Sequence, residues 1–296
     1  MTIVSLAFVA VLTGAFQSVE KISAPLARDP DLGGGQVSSF GFSASGARLL
    51  FVADPLADDD VELWSVPFAG GTPARLSARS VGGNFATFEY RAVPGRNLVV
   101  YWTDQETASQ YELYVNRIDG STPPTRLHPL LAAGRNAGAF FALTADAVIY
   151  RADANTDEQY ELFRAPLDGS TAPLRLSAAM VAGGSIGFTE FQNGTFALSP
   201  AGDRAWYLAD ALVDGRTELF SVPVDGSSAA VRLNGNLASG GHVRSAQFTP
   251  DGSRIVYVAD QAILGRLELY SVPAAGGTAG RLSATPVAGG SVWPEE

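Results

Sequence analysis

The chain has 296 residues, 46% of them hydrophobic, and a formal charge of −10 from 30 acids against 20 bases. That apolar share is enough for a packed core and excludes a disordered chain. The acidic balance repels phosphate backbones, so nucleic acid is not an expected partner, whereas basic peptides, cations and neutral glycans fit it.

The sequence contains no cysteine, which excludes disulfide frameworks, thiolate metal sites and a cysteine nucleophile. Its 32 glycines and 17 prolines are spread along the whole length, the mark of many short strands joined by tight turns. No linker or abrupt change of composition interrupts residues 16–296, which read as one domain. Residues 1–15 are ambiguous. The apolar run Ile3–Leu12 has the length of a signal-peptide core and is too short to span a bilayer, but no Lys or Arg precedes it. It reads either as a signal peptide, which implies a periplasmic or secreted protein, or as a strand of a closing blade in a cytoplasmic one.

From residue 50 onward the chain repeats itself. Apolar runs end at Asp54, Asp104, Asp153, Asp210 and Asp260, and eight residues after each aspartate a glutamate opens the next run: Glu62, Glu112, Glu161, Glu218 and Glu268. An aromatic stands two places beyond each glutamate (Trp64, Tyr114, Phe163, Phe220, Tyr270). An Arg-Leu pair follows, at Arg75, Arg126, Arg175, Arg232 and Arg281 with the leucine after each. The period is about 50 residues, and the insertion "FTEFQNGTF" lengthens one interval. Each copy reads as four short strands. In the last, "VRSAQFTP" leads through the turn "PDG" to "RIVYVAD", then "LELYSVP" and, after the turn "AAGG", "AGRLSA". Four antiparallel strands per unit of this length predict an all-β chain, a β-propeller of four-stranded blades.

The blade pattern "FTPDGSRIVYVAD…LELYSVPAAGG…RLS" resembles the TolB-type, WD-like propeller repeat. Blades of that family read as an apolar residue, Ser-Pro-Asp-Gly, a strand ending in Asp, then Glu-Leu-Tyr and Arg-Leu-Thr. The resemblance covers roughly residues 35–290 and only the blades, since nothing corresponds to the N-terminal α/β domain of TolB itself. The turns "FSASG" and "LSPAGD" keep the pattern, whereas "ALTADA", residues 142–147, has lost it. The resemblance implies a propeller that serves as a partner-binding domain, a peptidase gate or, less often, a lyase.

A glycine-rich lead-in precedes each innermost strand: Gly34-Gly35, Gly82-Gly83, Gly134, Gly183-Gly184, Gly240-Gly241 and Gly289-Gly290. These are six lead-ins for five complete copies. Six blades are the first reading, the closing blade being composite: residues 6–22 lie over "LELYSVPAAGGTAGRL" as its outer strands and the C-terminus supplies the inner one. The alternatives are five blades, or a fragment of a longer propeller.

In such blades the loops between the second and third strands share a face with the lead-ins. That face carries the variable acids Asp58, Asp59, Asp60, Glu106, Asp157, Glu158 and Asp214, with His242 and Arg244 at the fifth lead-in. These residues form the candidate surface for a protein or small ligand. The recurring Asp, Glu and Arg are expected to serve the fold, the aspartates in Asx-turns and the glutamates in ion pairs with the arginines. No cofactor is expected. Ca²⁺ is the one ion suggested, by the run Asp58, Asp59, Asp60, although no calcium-loop motif is present.

"GGSIG" at Gly183–Gly187 matches the Gly-x-Ser-x-Gly nucleophile pattern, but it falls on a lead-in with no helix after it and reads as a repeat element. His128 takes the place of Ser or Asn in other copies and is expected at the surface. The recurring aromatics are expected between blades rather than as a sugar platform. The function so indicated is a non-catalytic, monomeric binding propeller. The alternatives are a lyase or hydrolase around His242 and Arg244 at the channel mouth, or the accessory propeller of a peptidase.

Overall fold

The structure, a computed structural model, describes residues 37–54, 61–78, 87–187, 195–284, 290 and 292, leaving aside the side chains of 87 and 88. Its elements are twenty strands in five four-stranded antiparallel sheets. The chain divides into two compact units, Met1–Arg126 and Leu127–Glu296.

The first unit holds two sheets. One comprises β1 (Val37–Phe42), β2 (Arg48–Ala53), β3 (Glu62–Pro67) and β4 (Ala74–Arg75). The other comprises β5 (Thr87–Ala92), β6 (Leu98–Thr103), β7 (Glu112–Arg117) and β8 (Thr125–Arg126). The second unit holds three sheets. They are β9 (Ala137–Leu143), β10 (Ala147–Thr156), β11 (Gln159–Pro166) and β12 (Leu174–Arg175); β13 (Phe196–Leu198), β14 (Arg204–Ala209), β15 (Glu218–Pro223) and β16 (Val231–Arg232); and β17 (Val243–Phe248), β18 (Arg254–Ala259), β19 (Glu268–Pro273) and β20 (Gly280–Arg281). In every sheet the strands lie side by side in chain order. The four strands read in each repeat are therefore present, the outermost shortened to two residues.

Why both faces of the second strand are apolar is clear from β14. Ala205, Tyr207 and Ala209 pack into the core shared with the preceding blade, while the alternate residues Trp206 and Leu208 pack into the core shared with the following one. A period of two that is apolar throughout is what a sheet covered on both faces requires. In four blades an aromatic of the second strand lies opposite the recurring aromatic of the third and stacks on it. Centroid separations are 5.8 Å for Tyr101–Tyr114, 5.7 Å for Tyr150–Phe163, 5.2 Å for Tyr207–Phe220 and 5.3 Å for Tyr257–Tyr270. The recurring aromatics are thus core, as expected.

Two readings are corrected. "ALTADA" still turns the chain: Thr144 Oγ1 donates to Asp146 Oδ1 at 2.8 Å and accepts the Ala147 N–H at 3.0 Å, as Thr249 does with Asp251 and Arg254 in the last copy, so the Thr-Asp pair persists where Pro and Gly are gone. His128 is buried rather than exposed, its ring 5.9 Å from that of Tyr150 and its Nδ1 2.9 Å from the Pro129 carbonyl. The position it occupies is a buried clamp in sister blades, where Ser77, Ser177 and Asn234 accept the N–H of Leu63, Leu162 and Leu219.

Consecutive blades of the second unit are stitched by one repeated contact. Ile186 N–H donates to the Tyr160 carbonyl and Val243 N–H to that of Thr217, each at 2.9 Å. Val292 N–H makes the same bond to Leu267, also at 2.9 Å, so the sixth lead-in starts the next step of the pattern. The outer strands assigned to a composite closing blade, residues 6–22, lie outside the described residues.

Candidate functional site

The site is built from the loops that follow each recurring aspartate. Asp153, Asp210 and Asp260 are 1%, 4% and 0% exposed, and each holds two backbone amides. One carboxylate oxygen accepts the N–H of the residue five places on: Glu158 at 3.2 Å, Gly215 at 2.9 Å and Gly265 at 3.1 Å. The other accepts the N–H of the lead-in: Asn136 at 2.6 Å, Ser185 at 2.6 Å and His242 at 2.5 Å. This corrects the expected Asx-turn. The aspartate bridges a loop to the innermost strand of its own blade, and so fixes the whole face. The glycine pair before that strand makes room for the bridge. At Gly240 φ is +75°, and a Cβ on Gly241 would stand 2.6 Å from the Asp260 carbonyl oxygen, a backbone atom that cannot move aside.

The recurring glutamates are buried and face the recurring arginines, as expected: Arg75–Glu62 at 3.1 Å, Arg126–Glu112 at 3.6 Å, Arg175–Glu161 at 2.8 Å, Arg232–Glu218 at 3.0 Å and Arg281–Glu268 at 2.9 Å. Burial pushes the Glu268 carboxyl up, but the Tyr270 hydroxyl and the Arg281 and Arg266 guanidinia outweigh it and leave the pKa below the ordinary glutamate value. A depressed folded-state pKa contributes stability that is present above the unfolded value and is lost as pH falls through the folded one. The urea midpoint should therefore fall between about pH 5 and about pH 3, and by less in Arg281→Gln, whose Glu268 starts less depressed. Equal slopes in the two proteins would show that this glutamate does not govern acid sensitivity.

The variable residues meet different fates. Asp58, Asp59 and Asp60 lie outside the described residues. Glu106, in the first unit, is exposed and paired with Arg126 at 2.7 Å. Asp157 and Glu158 are exposed at the tight turn between β10 and β11, where Glu158 takes φ 58°. Asp214 is exposed and lies over the lead-in of its blade, its carboxylate 2.9 Å from where a Gly183 Cβ would stand. His242 is half-buried, and its Nδ1 accepts the Thr217 N–H at 3.3 Å. Arg244 is half-buried with Nη2 3.8 Å from Asp260 Oδ2. Both therefore brace the lead-in. Ser185 of "GGSIG" is fully buried and its Oγ accepts the Tyr160 N–H at 2.9 Å, the place His242 takes one blade later, so it is the repeat element it resembles. Among the described residues no three of His, Asp and Glu are grouped to hold a metal ion, and no helix is long and apolar enough to cross a membrane.

The sequence reading missed the apolar part of this face. Leu212 and Val213 in the fourth blade and Ile263 and Leu264 in the fifth are 45–58% exposed at the tips of the same loops that hold Asp210 and Asp260. The loops and lead-ins of these blades adjoin, through Val181 N–H to the Ala211 carbonyl at 3.1 Å and Ala238 N–H to that of Gln261 at 2.9 Å.

No family model matches the chain, and no curated protein matches it. Solved structures do. A puromycin hydrolase is 23% identical over 85% of this chain and 39% of its own, with a TM-score of 0.50. A puromycin-hydrolyzing peptidase of Mycobacterium tuberculosis is 15% identical over 84% of this chain and 38% of its own, with a TM-score of 0.51. A structure described as a TolB of Agrobacterium tumefaciens is 16% identical over 83% of this chain and 80% of its own, with a TM-score of 0.44. The chain spans about two fifths of the length of the two hydrolytic relatives. At these identities the likeness is one of fold, and with the five four-stranded antiparallel sheets it defines the chain as an all-β protein of the β-propeller class.

Proposed function

We propose that this propeller is a non-catalytic binding protein that takes its partner on the loop-bearing face of the third to fifth blades. The observation that carries this reading is a division of labour. The recurring Asp, Glu and Arg, together with Ser185 and His242, are engaged in holding blades and lead-ins together, whereas Asp157, Glu158 and Asp214 and the aliphatics Leu212, Val213, Ile263 and Leu264 stand exposed in the loops that follow Asp153, Asp210 and Asp260. A loop face that carries both exposed carboxylates and exposed aliphatic tips suits a peptide segment or small ligand that is cationic and apolar. The likeness to hydrolytic enzymes is confined to the fold, so it supports neither their chemistry nor an accessory role beside a catalytic domain.

A random peptide display library panned on the purified protein is the test. Enriched peptides should combine Lys or Arg with aliphatic residues. Their binding should weaken with salt and fall by at least about 10-fold in the triple variant Asp157→Lys, Glu158→Lys, Asp214→Lys. Equal enrichment by the variant would overturn the reading.

The same proposal puts the protein outside the cytoplasm, on the strength of Ile3–Leu12. Loss of about fifteen residues from the intact mass of protein recovered outside the cytoplasm would support export. A full-length cytoplasmic product would refute it.

A further inference from the structure

In four blades the residue after the Arg-Leu pair is a clamp that accepts a leucine N–H of the third strand: Ser77, Ser177, Asn234 and Ser283. In three of them the amide that follows the clamp is held in turn by the next blade. Ala78 N–H donates to Gln105 Oε1 at 3.0 Å, Ala178 N–H to the Tyr207 hydroxyl at 2.9 Å, and Gly235 N–H to Gln261 Oε1 at 2.9 Å. Gln261 is itself fixed, because the same oxygen accepts the Tyr257 hydroxyl at 2.9 Å.

The fourth blade alone puts an asparagine before a glycine at this place; the other copies have Ser-Ala or, in the second, His-Pro. That pair is chemically vulnerable. The glycine nitrogen, on losing its proton, attacks the asparagine Cγ; the new C–N bond closes a five-membered succinimide, the Cγ–Nδ2 bond breaks and ammonia leaves. Water then opens the ring at either carbonyl, giving aspartate or isoaspartate. Glycine favours the attack because no Cβ crowds its nitrogen.

Here both reacting groups are tied down. Asn234 is 4% exposed, its Oδ1 accepts the Leu219 N–H at 2.8 Å and its Nδ2 donates to the Gly235 carbonyl at 2.9 Å. The nucleophile, Gly235 N, commits its proton to Gln261, so that bond must break before the nitrogen can react. A Cβ on Gly235 would stand 2.8 Å from Gln261 Nε2. The glycine that makes the pair reactive is thus also what lets Gln261 reach the amide.

We propose that Asn234 is a latent deamidation site, silenced by Gln261 and released when the contact between the fourth and fifth blades opens. Its product weakens the same contact. Aspartate at 234 has no amide to donate to the Gly235 carbonyl, and sets a carboxylate oxygen beside it in a place shielded from water. Isoaspartate adds a backbone carbon and moves the acceptor away from Leu219. Opening of this junction is therefore recorded as a lasting chemical change, and a molecule so marked opens more readily. The inference goes beyond the loop-face reading and does not depend on it.

Peptide mapping of protein held near neutral pH, following aspartate and isoaspartate at position 234, is the test. Native protein should react at least about 10-fold more slowly than urea-unfolded protein, since the rate follows the population of the opened junction. Gln261→Met, which keeps the bulk of the side chain without the acceptor, should react at least about 5-fold faster than native wild type, the worth of one neutral hydrogen bond. Leu50→Ala weakens the first unit and leaves this junction intact, so its rate should stay within about 2-fold of wild type. In Asn234→Asp the Leu219 and Gly235 amides should exchange hydrogen faster than in wild type. Equal rates in native and unfolded protein, an unchanged rate in Gln261→Met, an acceleration by Leu50→Ala as large as that by Gln261→Met, or unaltered exchange in Asn234→Asp would each overturn the proposal.

Discussion

Replacing Asp210 by alanine is expected to cost about 3–5 kcal/mol of folding stability, because a hydrogen bond to a charged group contributes about 1.5–3 kcal/mol and this carboxylate accepts two. The acceptors serve the Ser185 N–H at 2.6 Å and the Gly215 N–H at 2.9 Å, and Asp210 is only 4% exposed. Alanine leaves both amides without their acceptor. Asparagine should rescue less than half of the loss, since its one carbonyl oxygen serves one amide and its NH₂ group meets the other donor to donor. Asp260→Ala should behave alike, as it removes the acceptor for His242 and Gly265. Urea unfolding measures the cost, and hydrogen exchange locates it: Ser185 and Gly215 should exchange faster in Asp210→Ala than amides of β20. A loss below about 1 kcal/mol would mean that water takes over both bonds, and that the loop face is not held by this carboxylate.

That expectation also shows where sequence reading stops. The repeat placed the strands and the Arg–Glu pairs because each rests on contacts within one blade, at spacings that recur five times. The partners of Asp210 are of two kinds. Gly215 is five residues away in the same loop, but Ser185 lies 25 residues earlier, across an insertion, and no local pattern announces it. His128 went wrong for a related reason: it fills a Ser or Asn column whose members are buried clamps, which becomes visible only when the strands are paired. No recurring spacing marks Leu212, Val213, Ile263 and Leu264 as exposed, since they fall in the loops where the copies differ. Exposure, rather than residue type, is what distinguishes Leu212 from Leu208.

The second large effect comes from reading the copies against one another. Tyr114 donates to Glu112 Oε2 at 2.7 Å and Tyr270 to Glu268 Oε2 at 2.8 Å, each tyrosine two residues beyond its glutamate on the same side of the strand. Burial, and the glutamate beside each, push both phenols well above the ordinary tyrosine range, so they remain donors. In the fourth blade Phe220 holds the equivalent place, stacked on Tyr207, and Glu218 Oε2 is buried with no partner among the described residues. In the third blade Phe163 holds it, but there Asn155 Nδ2 already donates to Glu161 Oε2 at 2.5 Å. Three substitutions should therefore differ in sign. Tyr270→Phe should lose about 1.5–3 kcal/mol, the worth of a buried hydrogen bond to a carboxylate. Phe220→Tyr should gain about 1–2 kcal/mol by satisfying an orphaned oxygen. Phe163→Tyr should gain little, because Asn155 already donates to that oxygen and the new hydroxyl must itself be desolvated. Urea midpoints at neutral pH decide the matter. A gain in Phe163→Tyr equal to that in Phe220→Tyr would trace the effect to the tyrosine ring rather than to the unmet glutamate, and would remove the argument from internal comparison on which the assignment of Glu218 rests.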